Sequence, residues 1–291
     1  MIDRRSVLLG LSAGALVVRD PPALARVPDP ALAARRRIDV ACRQRMLTQR
    51  MAKSLLLAHL GVERERHLEQ ARAAHALFAR GLDDLCHGGP STGPAREGSV
   101  DASFGRVRTL RLDYGDAVEA GIVSEARDRA ALDRVVALDP GILDETNAAV
   151  GLVERACGGA AIPHHLAIAL NIAGRQRMFG QKMSKECAMI AAGYAPAPTR
   201  AALSTTAGLF GASLDALRGG LAAVGLRAPR TAALRGRLAL VADAWGAMRP
   251  VLDSVAGGAA VTRPTLETVA ALDDLVLHTT EEAVSLYEDE G

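Results

Sequence analysis

The strongest constraint on this chain is an internal repeat that spans most of its length. Ala41-Cys42-Arg43-Gln44-Arg45-Met46-Leu47-Thr48-Gln49-Arg50-Met51-Ala52-Lys53 lies 132 residues before Ala173-Gly174-Arg175-Gln176-Arg177-Met178-Phe179-Gly180-Gln181-Lys182-Met183-Ser184-Lys185. The same offset pairs Phe78 with Phe210, Leu82 with Leu214, Asp83 with Asp215 and Leu85 with Leu217. Tyr114-Gly115 recurs as Trp245-Gly246, and Ala137-Leu138-Asp139 as Ala271-Leu272-Asp273. The ordered series marks a tandem duplication, with small offset changes falling in loops.

Each copy reads as four helices. Ala and Leu dominate, aromatics are only 3% of the 291 residues, and β-branched and aromatic strand formers are sparse. Apolar periodicity and Gly/Pro breaks place helices near 31–60, 63–86, 101–122 and 125–156, then 163–192, 199–224, 229–255 and 264–288. Short connections favour antiparallel neighbours. The expected fold is therefore all-α: two up-down-up-down four-helix bundles, residues 31–157 and 163–288.

The N-terminus reads as an address. Arg4-Arg5 precedes an apolar run from Val7 to Val18, and Ala23-Leu24-Ala25 offers a small-x-small cleavage site. Residues 1–25 thus look like a twin-arginine-type signal peptide. The alternative is a retained anchor, but the run is shorter than the roughly 20 residues of a stable span. Periplasmic location and no membrane span in the mature chain are the expectations.

Composition excludes several function classes. The formal net charge is +2, and one Trp, three Tyr and four Phe give little material for base stacking, so no nucleic-acid partner is expected. His59, His67 and His75 are eight apart, which drifts about 80° around a helix and makes a poor metal cluster. His164-His165 beside Pro163 reads as a helix start. No phosphate loop, CxxC pair or nucleophile elbow is present. Neither metal, cofactor nor catalysis is expected. Of the four cysteines, Cys86 and Cys157 fall near the ends of the second and fourth helices, at one pole of an up-down bundle, and could pair.

The repeated first helix carries the chemistry. Met46, Leu47 and Met51 with Ala41 form an apolar strip for packing. Arg43 and Arg50 share a face, seven residues apart, and Arg45 projects elsewhere. Small residues Ala41, Ala173 and Gly174 would let a second helix approach the arginines closely. A guanidinium is a rigid fork of donors that suits a planar oxyanion, so Arg45 and Arg177, with Arg43 and Arg175 near them, are candidate anion ligands. A solvated, salt-bridged helix face is the competing reading of the same arginines.

Asn171-Ile172-Ala173-Gly174-Arg175-Gln176-Arg177-Met178 resembles the first-helix motif of the PilJ-type N-terminal sensor domain of type IV pilus chemotaxis transducers. It also looks like the periplasmic P-box of the NarX/NarQ nitrate and nitrite sensor kinases. The resemblance covers residues 31 to 288 and implies a four-helix sensor bundle that meets a second bundle through its first helix. It implies a small anion held there by the arginine before Met, which is Arg177 in copy two and Arg45 in copy one, with Asn171, Ala41, Ala173 and Gly174 beside it.

Copy one departs from the motif, with Asp39-Val40-Ala41-Cys42 where copy two has Asn171-Ile172-Ala173-Gly174. An acidic Asp39 next to an anion site is unfavourable, so the two halves need not be equivalent. The expectation is a periplasmic nitrate- or nitrite-type anion-binding or sensing protein without its own output. It would be a monomer with an internal pseudo-dimer, or a homodimer. The alternatives are a helical scaffold that docks on a membrane-bound sensor, transducer or respiratory enzyme, and, more remotely, a cofactor-loaded enzyme suggested by the export route.

Overall fold

A computed structural model describes residues 29–89, 92–94, 99–159 and 161–289. The signal-peptide expectation for residues 1–25 lies outside these. Among the described residues there are eight long helices: α1 (Pro30–His59), α2 (Arg64–His87), α3 (Ser99–Val123), α4 (Arg129–Cys157), α5 (His164–Ala191), α6 (Pro196–Gly219), α7 (Ala232–Ala256) and α8 (Arg263–Asp289). The loop after α2 adds only a two-residue ladder, Gly88–Gly89 against Gly93–Pro94. None of the described helices is long and apolar enough to cross a membrane.

Local chemistry sets the helix ends. Asp29 caps α1, its carboxylate accepting from the Ala31 N–H at 3.0 Å, with Pro30 in the first turn. Asp128 caps α4 in the same way. Two ends differ from the sequence expectation. Helix α4 starts at Arg129 rather than 125, because Glu125 and Ala126 take left-handed φ values of 53° and 59° in the turn from α3. Helix α6 stops at Gly219 rather than 224. Gly220 sits at φ +81°, where an added Cβ would lie 2.9 Å from the Ala228 nitrogen, and a short 3-10 turn follows at Ala222–Val224.

Helices α1 to α4 pack in a ring, each against its sequence neighbours and α4 back on α1; α5 to α8 repeat the arrangement. The rings meet through α1 and α5, which lie side by side and parallel: Cys42 faces Leu170 and Gly174, and Gln49 faces Lys185. Each first helix is thus packed against three others. That is why it is buried nearly all round, polar residues included, while α2 and α6 bury only one stripe. One apolar cluster runs through both copies, from Ile38 and Leu56 in α1 to Met183 in α5 and Val276 in α8. Burial of this surface, at about 25 cal/mol per Å² of apolar area, drives the two rings together as one unit. Cys86 is half-buried at the end of α2 and Cys157 is buried at the last position of α4.

Candidate functional site

The α1–α5 contact holds two polar layers, each nearly two-fold symmetric. The first layer is the arginine layer. Arg45 is 0% exposed and Arg177 1% exposed. Arg45 Nη2 donates to the Asn171 carbonyl oxygen at 3.2 Å and lies 3.1 Å from Cys42 Sγ. Its Nη1 reaches Asn147 Oδ1 at 3.5 Å. At the equivalent place, Arg177 Nη2 donates to Asp39 Oδ1 at 2.5 Å. The helices can approach this closely because position 174 has no side chain. A Cβ there would stand 2.6 Å from Cys42 Cβ and 2.8 Å from its Sγ.

The two arginines differ in charge compensation. Arg177 faces a carboxylate. Burial works against its cation, but Asp39, with Cys42 and Glu281, outweighs that and raises its pKa. Among the described residues Arg45 has only a carbonyl, an amide and a thiol as partners. Burial lowers its pKa, and Arg175 and Arg177 add to the effect. Arg45 Nε, Arg177 Nε and Nη1, and Asn171 Oδ1 are buried without a partner among the described residues. Asn171 Nδ2 donates to Glu154. Burial also pushes the Cys42 thiol up, against the neighbouring arginines, so it stands as a neutral thiol in this layer.

The remaining expected residues sort themselves by exposure. Ala41 and Ala173 are buried in the helix contact. Arg43 is half-exposed and pairs with the other oxygen of Asp39, Oδ2, at 3.0 Å. Arg175 is exposed and touches the layer only through its field. The two candidate anion ligands, Arg45 and Arg177, are not equivalent. Asp39 already neutralises Arg177, and Arg45 alone is left without a carboxylate.

The second layer lies further along α1 and α5 and was missed in the sequence. Lys53 pairs with Asp273 of α8 at 2.8 Å, both side chains at 0% exposure. Lys185 pairs with Asp139 of α4, and its Nζ also donates to Gln49 Oε1 at 2.6 Å. Gln49 and Gln181 donate to Asp139 and Asp273 at 3.0 and 2.9 Å. Each lysine therefore crosses to the other copy's acid, so one contact is made twice, as in an isologous dimer. The signal was present: both members of each pair recur within the repeat, as polar residues inside apolar stripes.

This architecture defines a duplicated four-helix bundle whose copies meet through parallel first helices around buried cations. The family described as type IV pili methyl-accepting chemotaxis transducer N-term, PilJ, matches residues 31–137 and again 164–271, and the chain belongs to that family. Among curated proteins no relative matches.

Proposed function

We propose that this chain is an exported periplasmic sensor protein that binds one small planar monoanion, of the nitrate or nitrite type, between its two copies. The observation that carries this reading is Arg45, a fully buried guanidinium whose hydrogen-bond partners among the described residues are all uncharged. Counting the groups that are more than nine-tenths buried, Arg45 and Arg177 bring two positive charges into the layer and Asp39, which the half-exposed Arg43 also pairs, brings one negative charge. A single monoanion restores neutrality there, and the unpartnered Arg45 Nε and Arg177 Nη1 supply donors for it. Charge-assisted hydrogen bonds of this kind contribute about 1.5–3 kcal/mol each. Membership of a transducer sensor family supports a role in signal transduction over one in catalysis.

Calorimetric titration of the purified mature protein with nitrate and nitrite tests the proposal. One anion per monomer is expected, with most of the affinity lost in Arg45→Ala and less lost in Arg175→Ala. No saturable heat with either anion, or undiminished binding in an Arg45→Ala, Arg177→Ala double variant, overturns it.

A further inference from the structure

The duplication has left two equivalent grooves on the outer sides of the central contact, and they have diverged. One, of about 620 Å³, lies between α1, α2 and α8; its counterpart, of about 340 Å³, lies between α4, α5 and α6. Along α5 and α6, beside the smaller groove, Lys182 and the Gln176 amide nitrogen find partners within the chain, while Gln176 Oε1 and Glu186 Oε2 are buried without one among the described residues. Lys182 is paired with Glu186 and donates to Thr206 Oγ1 at 2.9 Å. Gln176, at the matching end of α5, donates to Ser213 Oγ at 2.5 Å and to the Phe210 carbonyl.

The side-chain partners are replaced in copy one, whereas the Phe210 carbonyl keeps its equivalent at Phe78. At the repeat offset, Lys182 becomes Arg50, Glu186 becomes Ser54, Thr206 becomes Ala74 and Ser213 becomes Gly81. Arg50 is half-buried and forms no ion pair with any described residue. Gln44, 1% exposed, keeps only a bond from its Nε2 to the Val40 carbonyl of its own helix, at 3.2 Å. Its Oε1 is buried with no donor. Gly81 makes the room for that amide: a Cβ there would lie 2.2 Å from Gln44 Nε2. Glu281, reaching over from α8 of the other copy, lines the same groove half-buried and without an ion pair among the described residues. Met46, Leu47 and Leu77 form an apolar strip in the wall, which also carries the charged residues Arg43, Arg66, Glu69, Arg80, Asp83 and Asp84.

We infer that this groove is a second ligand site, distinct from the arginine layer, for a small zwitterion that carries a carboxylate and an ammonium on an apolar body, the class of the aliphatic and aromatic amino acids. Arg50 takes the carboxylate, which its planar fork fits in bidentate fashion. Gln44 Oε1 and Glu281 accept from the ammonium. The strip of Met46, Leu47 and Leu77 takes the side chain, a contact that an inorganic ion would leave unused. Copy two differs at the cation: Lys182, which stands where Arg50 does, is already paired with Glu186.

The test is calorimetry on the full mature chain with leucine and phenylalanine, beside 4-methylpentanoate and phenethylamine, which each lack one charge. Either amino acid should saturate one site per chain, more tightly than its singly charged relative, with nitrate present at saturation or absent. Arg50→Gln should weaken binding about ten- to hundredfold, the effect of one lost charge-assisted pair. Gly81→Ser, which imports the copy-two residue, should abolish it, with helicity by circular dichroism unchanged in both variants. No saturable binding of either amino acid, equal affinity for 4-methylpentanoate and leucine, or an Arg50→Gln variant that binds as the parent does, overturns the inference. Nitrate binding is read in the same cell, so failure here is separable from failure of the anion site.

Discussion

Lys53 and Asp273 meet at 2.8 Å with neither side chain exposed, although 220 residues of chain separate them. Their counterparts Lys185 and Asp139 make the same bond in the opposite sense. Two charges taken out of water cost several kcal/mol each, and their attraction recovers this only when every remaining donor and acceptor is also served. Here Gln181 donates to both oxygens of Asp273, and burial still raises that acid's pKa against the pull of Lys53.

Removing one partner should therefore be far worse than removing both. Lys53→Met strands a carboxylate between the copies and should destabilise the protein by about 3–5 kcal/mol. A Lys53→Met, Asp273→Leu double variant should regain most of that. Urea unfolding of the three proteins measures the coupling, and equal losses in the single and double variants would show that the pair does not act as a unit.

The sequence made the helices and their pairing legible for a physical reason. Breakers and apolar periodicity are local, and a duplicated first helix with small residues at Ala41, Ala173 and Gly174 already implies a close symmetric contact. The recurrence of Lys53 as Lys185 and of Asp139 as Asp273 was legible, but their pairing was not, because Lys53 and Asp273 belong to different copies and only tertiary packing brings α1 onto α8. Asp39 shows the same limit at the site. Beside an arginine cluster it reads as a defect for anion binding. In the fold it is the counter-ion of Arg177 and Arg43.

That role of Asp39 has a measurable consequence. Asp39→Asn restores in copy one the residue that copy two has at Asn171, and it frees Arg177 from its internal carboxylate. If the arginine layer holds an anion, nitrate should bind about tenfold or more tightly in this variant, the change expected when one competing charge-assisted bond is removed. Weaker binding than in the parent would mean that Asp39 orients Arg177 for the ligand instead of competing with it.

Gly174 and Cys42 set the distance between the two first helices. Gly174→Ala places a methyl 2.6 Å from Cys42 Cβ, so α1 and α5 must part or tilt. Overpacking at such a contact costs about 1–3 kcal/mol. Cys42→Gly in the same chain removes the opposing Cβ and should recover stability, whereas Cys42→Ser, which keeps that Cβ, should not. Thermal unfolding of the four proteins distinguishes a steric contact from a general effect of the thiol.

Two groups give the acid dependence of stability contributions of opposite sign. Burial, with Asp39 beside it, pushes Glu288 from 4.5 up to about 7. Between those values the folded protein holds a proton that the unfolded chain has lost. The stabilisation is therefore fully present below 4.5 and is lost as pH rises through about 7. His67 behaves oppositely. Burial, and then the charge of Lys53, lowers it from 6.5 to about 4. Its neutral form belongs to the fold, so its contribution is present above 6.5 and is lost as pH falls towards 4. In the parent the two slopes offset one another over the shared window. Glu288→Gln should leave a stability that rises with pH across it, and His67→Asn one that falls, each read as the difference from parent in urea unfolding free energy at several pH values. Because Lys53 is one cause of the His67 shift, Lys53→Met should also move the His67 transition upward in pH. An unchanged His67 transition in that variant would remove Lys53 from the causes and leave burial, with Arg66, to account for the shift.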